Sequence, residues 1–295
     1  MKYLNVIFTY NRPYLLDNCI RSYLAYGPEG DLLVFDDNST LPECKRILQE
    51  WQAKGVDVRI NQKEKLGKRG GLYDNMQASV DYAMEQGYDY IFFIQDDQQF
   101  AWRDGSFWDR IDRIFNSMEK VFHVRPQFER ILLSHDASNR FRPIPEYDCW
   151  LNVKEFFTAV GVLSLKKIRQ TSWRFVFLEA DNNAQARKMG LEMVVLAMPT
   201  LAFVPNPETW HDNQIQNTVK KPVHEFLLKP LNEAQIQQIH ELSCKKIIYA
   251  EVFCFPWGWK AIAPYQHSSN RKKYFGNLWR WIKKNRRLPR WVGIK

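Results

Sequence analysis

Apolar positions follow two alternating rhythms along the first hundred residues. Tyr3–Phe8 is a near-continuous apolar run, the pattern of a strand covered on both faces. Past the break at Asn11, Arg12 and Pro13, residues Leu15, Leu16, Cys19, Ile20, Tyr23 and Leu24 recur at helix spacing and predict one buried helical stripe. Gly27, Pro28 and Gly30 interrupt the chain, and Leu32–Phe35 predicts a second strand. A helix carrying Ile47, Leu48 and Trp51 comes next, then a third strand over Val56–Ile60. A basic, glycine-rich loop occupies Gly67 to Gly71, a helix follows through Leu72, Met76, Val80 and Ala83, and Tyr90–Ile94 is the fourth strand. Strand and helix in repetition predict βαβ units: an α/β fold with a mostly parallel sheet flanked by helices.

Ligands of such sheets bind beyond the carboxyl ends of the strands. Those ends carry Thr9-Tyr10-Asn11, Asp36-Asp37-Asn38-Ser39, Asn61-Gln62 and Gln95-Asp96-Asp97-Gln98. Asp-Asn-Ser after a strand is also ordinary turn chemistry and a good helix cap. Two Asp pairs aimed at one crevice ask for more than a turn. Adjacent carboxylates repel unless a cation or hydrogen-bond donors offset them.

Composition narrows the class. With 295 residues, 45% of them hydrophobic, the chain has the material for a core and is not a disordered protein. The opening residues hold no long apolar segment with a small-residue cleavage site, so no secretory signal is expected. The apolar stretch at Ile247–Pro264 contains Glu251, Pro256 and Lys260 and is a poor membrane span. Cys19, Cys44, Cys149, Cys244 and Cys254 are scattered and predict reduced thiols in a cytoplasmic protein. The net charge of +9 is uneven: residues 252–295 hold eleven Lys/Arg and no acid, leaving 31 basic against 33 acidic residues elsewhere. Partners inferred from charge therefore belong to the tail.

Four segments in order resemble the nucleotide-sugar glycosyltransferases of the GT-A fold, specifically the inverting family 2. They are VIFTYNRPYLLDNCIRS, LLVFDDNS, LGKRGGLYDNMQASVDYA and YDYIFFIQDDQQF, with a looser portion from AVGVLSLKKI to WHDNQ. The resemblance spans roughly residues 3–212 and implies that Thr9, Tyr10, Asn11 and Arg12 line the donor site. It implies base recognition by Asp37, with Asp36 in support, and a divalent Mn²⁺ or Mg²⁺ on Asp97. Asp96 is then a contact to the ribose or sugar. Gln95 stands where a strict Asp-x-Asp would begin. Hard divalent ions take oxygen ligands and are commonly held by one or two carboxylates plus substrate phosphates. Lys68 or Arg69 would meet the diphosphate, and Gly161 would lie beside the donor sugar or serve as a buried strand glycine. The catalytic base would be Asp181, six positions before Arg187, with Glu179 as the alternative; Asp181 could equally cap a helix. His211 resembles the late histidine that completes the metal site in some members.

The resemblance implies transfer of a sugar, most often from a UDP-sugar, to a saccharide or lipid-linked saccharide acceptor, in surface polysaccharide synthesis of the bacterial type. The catalytic domain is expected over residues 1–215, with a donor-binding half to about residue 100 and an acceptor half beyond it. Residues 216–295 would form a helical, basic extension. Within it Tyr274, Phe275, Leu278, Trp279 and Ile282 make one helical stripe among Lys and Arg. Such a segment, residues 271–295, could lie on the anionic inner face of a membrane or pack on the domain. A nucleic-acid partner is not expected, because the body is slightly acidic and no nucleic-acid module is present. A sugar nucleotidylyltransferase would carry a glycine-rich loop directly after the first strand, where this chain has Thr9 to Pro13 and no glycine.

Overall fold

The computed structural model describes residues 1–61, 71–129, 137–176, 178–204, 208–211, 214–217 and 227–254. The predicted alternation is present: β1 (Tyr3–Thr9), α1 (Pro13–Tyr26), β2 (Asp31–Asp36), α2 (Pro42–Ala53), β3 (Asp57–Ile60), α3 (Leu72–Glu85) and β4 (Tyr90–Gln95). A short β5 (Gln98–Phe100) and α4 (Phe107–Ser117) lead to β6 (Val121–Arg125). Then come α5 (Ala137–Arg140), β7 (Phe141–Ile144), β8 (Cys149–Asn152), β9 (Gly161–Ser164), α6 (Leu165–Thr171), α7 (Glu179–Lys188) and β10 (Glu192–Leu196). The described remainder is β11 (Leu201–Phe203), β12 (Glu208–His211), β13 (Gln214–Asn217), α8 (Glu233–Leu242) and α9 (Ala250–Phe253).

Nine strands form the main sheet in the order β3-β2-β1-β4-β9-β6-β10-β8-β7. The first four are mutually parallel. The other half is mixed, because β9 runs antiparallel to both β4 and β6, and β8 antiparallel to β10 and β7. Pro143, which has no N–H to donate, lies on the edge strand β7, where its absence is tolerated.

Strand β1 shows why the sheet is covered on both sides. Leu4, Val6 and Phe8 point to one face, with Met76 and Val80 of α3, Ile168 of α6 and Ala186 of α7. Ile7 points to the other, among Leu16 and Ile20 of α1, Ile47 and Trp51 of α2, and Ile111 and Ile114 of α4. Each such side chain withdrawn from water contributes about 1.5–3 kcal/mol. One position departs from the expected stripe: Leu24, near the end of α1, is exposed. At this end Tyr23 supplies the buried contact, its hydroxyl accepting a 2.8 Å bond from Asn5 Nδ2.

Residues 227–254 pack against the α/β body. Leu228, Leu231, Ile239, Ile248 and Phe253 share a cluster with Leu15, Ala101, Trp102, Phe128 and Met198. Gln99 clamps this segment, donating to Leu228 O at 2.7 Å and accepting from Leu228 N at 3.0 Å. The expected helix through Ile236, Ile239 and Leu242 is α8, which opens on a capping box between Asn232 and Gln235. All five cysteines are free thiols. No helix among the described residues is long and apolar enough to cross a membrane. The tail expected to form a basic amphipathic helix, residues 271–295, lies outside the described residues.

Candidate active site

The strand order turns at β1, with β2 on one side and β4 on the other, so the three carboxyl ends share one crevice mouth. Their loops are tied together by side chains. Asn11, fully buried and at a left-handed φ of 54°, accepts from Thr40 N at 2.7 Å and Leu41 N at 2.9 Å. Its amide also donates to Thr40 Oγ1 at 3.0 Å. Asn tolerates this conformation better than most residues, and its short amide can satisfy neighbouring backbone groups. Asn11, expected to line the donor site, thus fastens the β1 loop to the β2 loop.

Asp36 and Asp37 make different contacts. Asp36 accepts from Ser39 N at 2.8 Å and Ser39 Oγ at 2.5 Å, which closes the turn after β2. Asp37 faces the start of α3. It accepts from Gly71 N at 2.8 Å and from Asn75 Nδ2 at 3.3 Å, while Asn75 in turn accepts from Asn61 at 2.6 Å. A β-carbon on Gly71 would lie 2.9 Å from Asp37 Oδ1, so any larger residue would push this carboxylate aside. Lys68 and Arg69 lie outside the described residues; Tyr10, at the β1 exit, is half-buried.

Asp96 and Asp97, both buried, follow β4 directly. Asp96 Oδ2 accepts from Thr9 Oγ1 at 2.8 Å, and Asp97 Oδ1 accepts from Gln98 Nε2 at 2.8 Å. Arg12 Nη1 spans the remaining oxygens, 3.0 Å from Asp96 Oδ1 and 3.2 Å from Asp97 Oδ2. Burial raises the pKa of the Asp96 carboxyl, with Arg12 opposing and Asp97 adding to the rise. Burial works against the charge of Arg12, and the two carboxylates outweigh it, so its pKa is raised. Two adjacent carboxylates offer the oxygen donors that a hard divalent ion takes, and here a guanidinium compensates them. Among the described residues no group of three or more His, Cys, Asp or Glu is placed to hold a metal. Two carboxylates still suit an ion whose other ligands are phosphate oxygens and water. His211 is in β12, and its side chain lies outside the described residues.

The opposite wall comes from β9 and α7. Gly161 pairs with Phe93 across the antiparallel β4–β9 ladder, which brings the start of β9 to the carboxyl end of β4. Its φ is +150°, and a β-carbon there would fall 2.0 Å from Nε2 of the buried His123. Glycine at this position makes room for the His123 ring. Burial lowers the pKa of that ring to about 3, so it stays neutral.

On α7 the two candidate bases part company. Leu178 is the N-cap residue, and Asp181 sits exposed in the first turn without a capping bond. Glu179 is exposed as well, at helical spacing from the buried Asn182 and Ala186. Its residue surface is open to solvent in part, while Oε2 accepts from Ala159 N at 3.1 Å. Desolvation raises the pKa of this carboxyl, while the Ala159 bond, Arg125 and the Tyr73 hydroxyl lower it and Glu155 raises it. Arg125 is buried, pairs with Glu129, and has its pKa lowered to about 10 by desolvation. Two asparagines place this helix. Asn182 accepts from Val176 N at 3.0 Å and donates to Val176 O at 2.7 Å and Leu178 O at 2.9 Å. Asn183 accepts from Phe156 N at 2.6 Å and Phe157 N at 3.2 Å. Sequence reasoning missed these two, along with Asn75, Gln98 and Tyr73. The adjacent Asn pair at a helix start was the available signal, since asparagine there commonly bonds to backbone.

Residues 6–121 match the protein-family model described as Glycosyl transferase family 2. The match covers less than half of the chain. The fold of the chain is GT-A. A crystal structure of S. aureus TarS 1–349 in complex with UDP-GlcNAc is 10% identical, with a TM-score of 0.50 over 96% of this chain and 81% of that one. The structure of GalNAc-T7 with UDP, GalNAc and Mn²⁺ is 9% identical, with a TM-score of 0.51 over 97% of this chain and 56% of that one. In a further structure of S. aureus TarS 1–349, 12% identical at a TM-score of 0.49, the match covers 70% of this chain and 61% of that chain. At these identities the likeness concerns the fold. No curated protein matches the chain.

Proposed function

We propose that this chain is a metal-dependent, inverting glycosyltransferase that moves a sugar from a nucleoside-diphosphate donor to a hydroxyl of a saccharide or lipid-linked saccharide. The observation that carries the reading is that Asp37 and the Asp96–Asp97 pair stand at the carboxyl ends of β2 and β4, the two parallel neighbours of β1. Asp37, braced by Gly71 and Asn75, is oriented for a base N–H. Asp97, with Asp96 beside it, would hold Mn²⁺ or Mg²⁺, which when bound neutralises charge on the departing diphosphate. That two GT-A structures of similar fold carry UDP-GlcNAc, or UDP with Mn²⁺, supports a UDP-sugar as donor.

Of the two candidate bases, Glu179 is assigned the role. Its carboxyl is tied to the segment before β9 by the bond from Ala159 N, and desolvation raises its pKa, the direction that favours proton acceptance. Glu179 takes the proton of the acceptor hydroxyl as that oxygen attacks the anomeric carbon opposite the leaving diphosphate. Thr9 and Gln98 keep the carboxylate pair from rotating, so the donor site is preorganised.

Thermal unfolding against UDP-, GDP-, dTDP- and CMP-sugars with Mn²⁺ tests the donor class. One class should raise Tm selectively, because a ligand that binds only the folded state stabilises it. Asp97→Asn should lose the Mn²⁺-dependent part of that rise. Stabilisation by none of the four, or an undiminished rise in the variant, would refute the assignment. The anomeric configuration of the product, read by NMR, tests inversion.

A further inference from the structure

The carboxylate pair after β4 is already occupied by a cation that belongs to the chain. All four oxygens of Asp96 and Asp97 have a donor: Thr9 and Gln98 hold one each, and Arg12 Nη1 spans the two that face one another. The three partners are not equally fixed. Thr9 and Gln98 are buried, whereas the Arg12 side chain keeps 24% of its surface exposed, against 4% for Asp96 and 10% for Asp97. Arg12 is also the residue that precedes the first turn of α1, so its side chain can leave the acids without disturbing strand or helix.

A divalent ion cannot take Asp97 Oδ2 while a guanidinium N–H is aimed at it. The two cations would face each other across a few ångströms of a poorly hydrated site, where repulsion is strong. We infer that Arg12 is a resident counter-ion: it compensates the Asp96–Asp97 pair in the free enzyme and must be displaced from Asp97 when the divalent ion binds. The ion alone therefore binds weakly, and it binds tightly with a nucleoside diphosphate, whose phosphates give the displaced guanidinium a new partner. Linkage makes this reciprocal, so the ion and the diphosphate each strengthen the other's binding. The inference rests on the reading of Asp97 as a metal ligand.

Calorimetric titration of the full chain with Mn²⁺, with and without UDP, separates the two. Arg12→Gln should bind Mn²⁺ alone about tenfold more tightly than wild type or better, the worth of one charge-assisted hydrogen bond. The enhancement of Mn²⁺ binding by UDP should shrink in the same variant. Arg12→Lys, which keeps the charge, should fall between. Thermal unfolding supplies a second readout: without Mn²⁺ the Gln variant should melt below wild type, and Mn²⁺ should raise its Tm by more. Equal or weaker Mn²⁺ binding by Arg12→Gln, or a Tm rise no larger than wild type's, overturns the inference. If Asp97→Asn binds Mn²⁺ as wild type does, the metal reading itself has failed, and the inference falls with it.

Discussion

The two halves of the sheet build their parts of the crevice differently. In the parallel half, each contributing side chain sits within a residue or two of a strand end: Thr9 after β1, Asp36 and Asp37 after β2, Asp96 and Asp97 after β4. Their partners are near in space because the strands are neighbours. In the mixed half, the candidate base rides on a helix that begins fifteen residues after β9 ends. Its position depends on Asn182 and Asn183 binding backbone far from the strand, and on Gly161 leaving room for His123. One wall is held by sheet register and the other by a few specific hydrogen bonds and one tight contact. Damage should therefore be broad-based and mild in the first and concentrated in the second.

The largest effect should come from α7. Glu179→Gln keeps the acceptor for Ala159 N–H and should leave donor binding intact while kcat falls about 10²–10⁴-fold, the usual worth of general-base help. Asp181→Asn, two residues on, should change kcat by less than about twofold. Steady-state kinetics on both would reverse the assignment if Asp181→Asn proved the inactive one.

Next in size is Gly161→Ala. The added β-carbon meets His123 Nε2, and the backbone conformation disfavours any side chain, so chemical denaturation should show a loss of about 3 kcal/mol. A loss under about 1 kcal/mol would mean that the His123 ring moves aside freely and that this wall is softer than its packing indicates.

Asn11→Ala tests the other wall and should cost less. It removes the acceptor of Thr40 N–H and Leu41 N–H at a fully buried site, worth about 1–3 kcal/mol. Sheet register should keep Asp37 and Asp96 in place, so donor affinity should fall only a few-fold. A larger drop in affinity than in stability would show that the loop bonds, rather than the strands, position the donor site.

Much of the first half was legible before any coordinates. Continuous apolar runs marked β1 to β4 within a residue or two, helix-spaced stripes marked the buried faces of α1 to α3, and the carboxylate pairs stood at the strand ends where chemistry was expected. The second half was not legible in the same way. Its strands are four or five residues long, and β9 enters antiparallel between β4 and β6, a placement that short-range periodicity does not encode. Spacing to Arg187 pointed to Asp181. Which carboxylate reaches Ala159 N depends on where α7 starts and how it is rotated, and Asn182 ties that start through contacts six and four residues upstream.

The sequence by itself determined the layered α/β architecture, the family's motifs and the identity of the acids after β2 and β4. These follow from local patterning, because burial on two faces or one leaves a period in the chain. Tertiary structure alone decided the orientation of α7, the role of Asn11 as a fastener, the need for glycine at 161 and the seating of Arg12 between Asp96 and Asp97. Each of these depends on groups distant in sequence meeting within about 3 Å, and no local period records such a meeting.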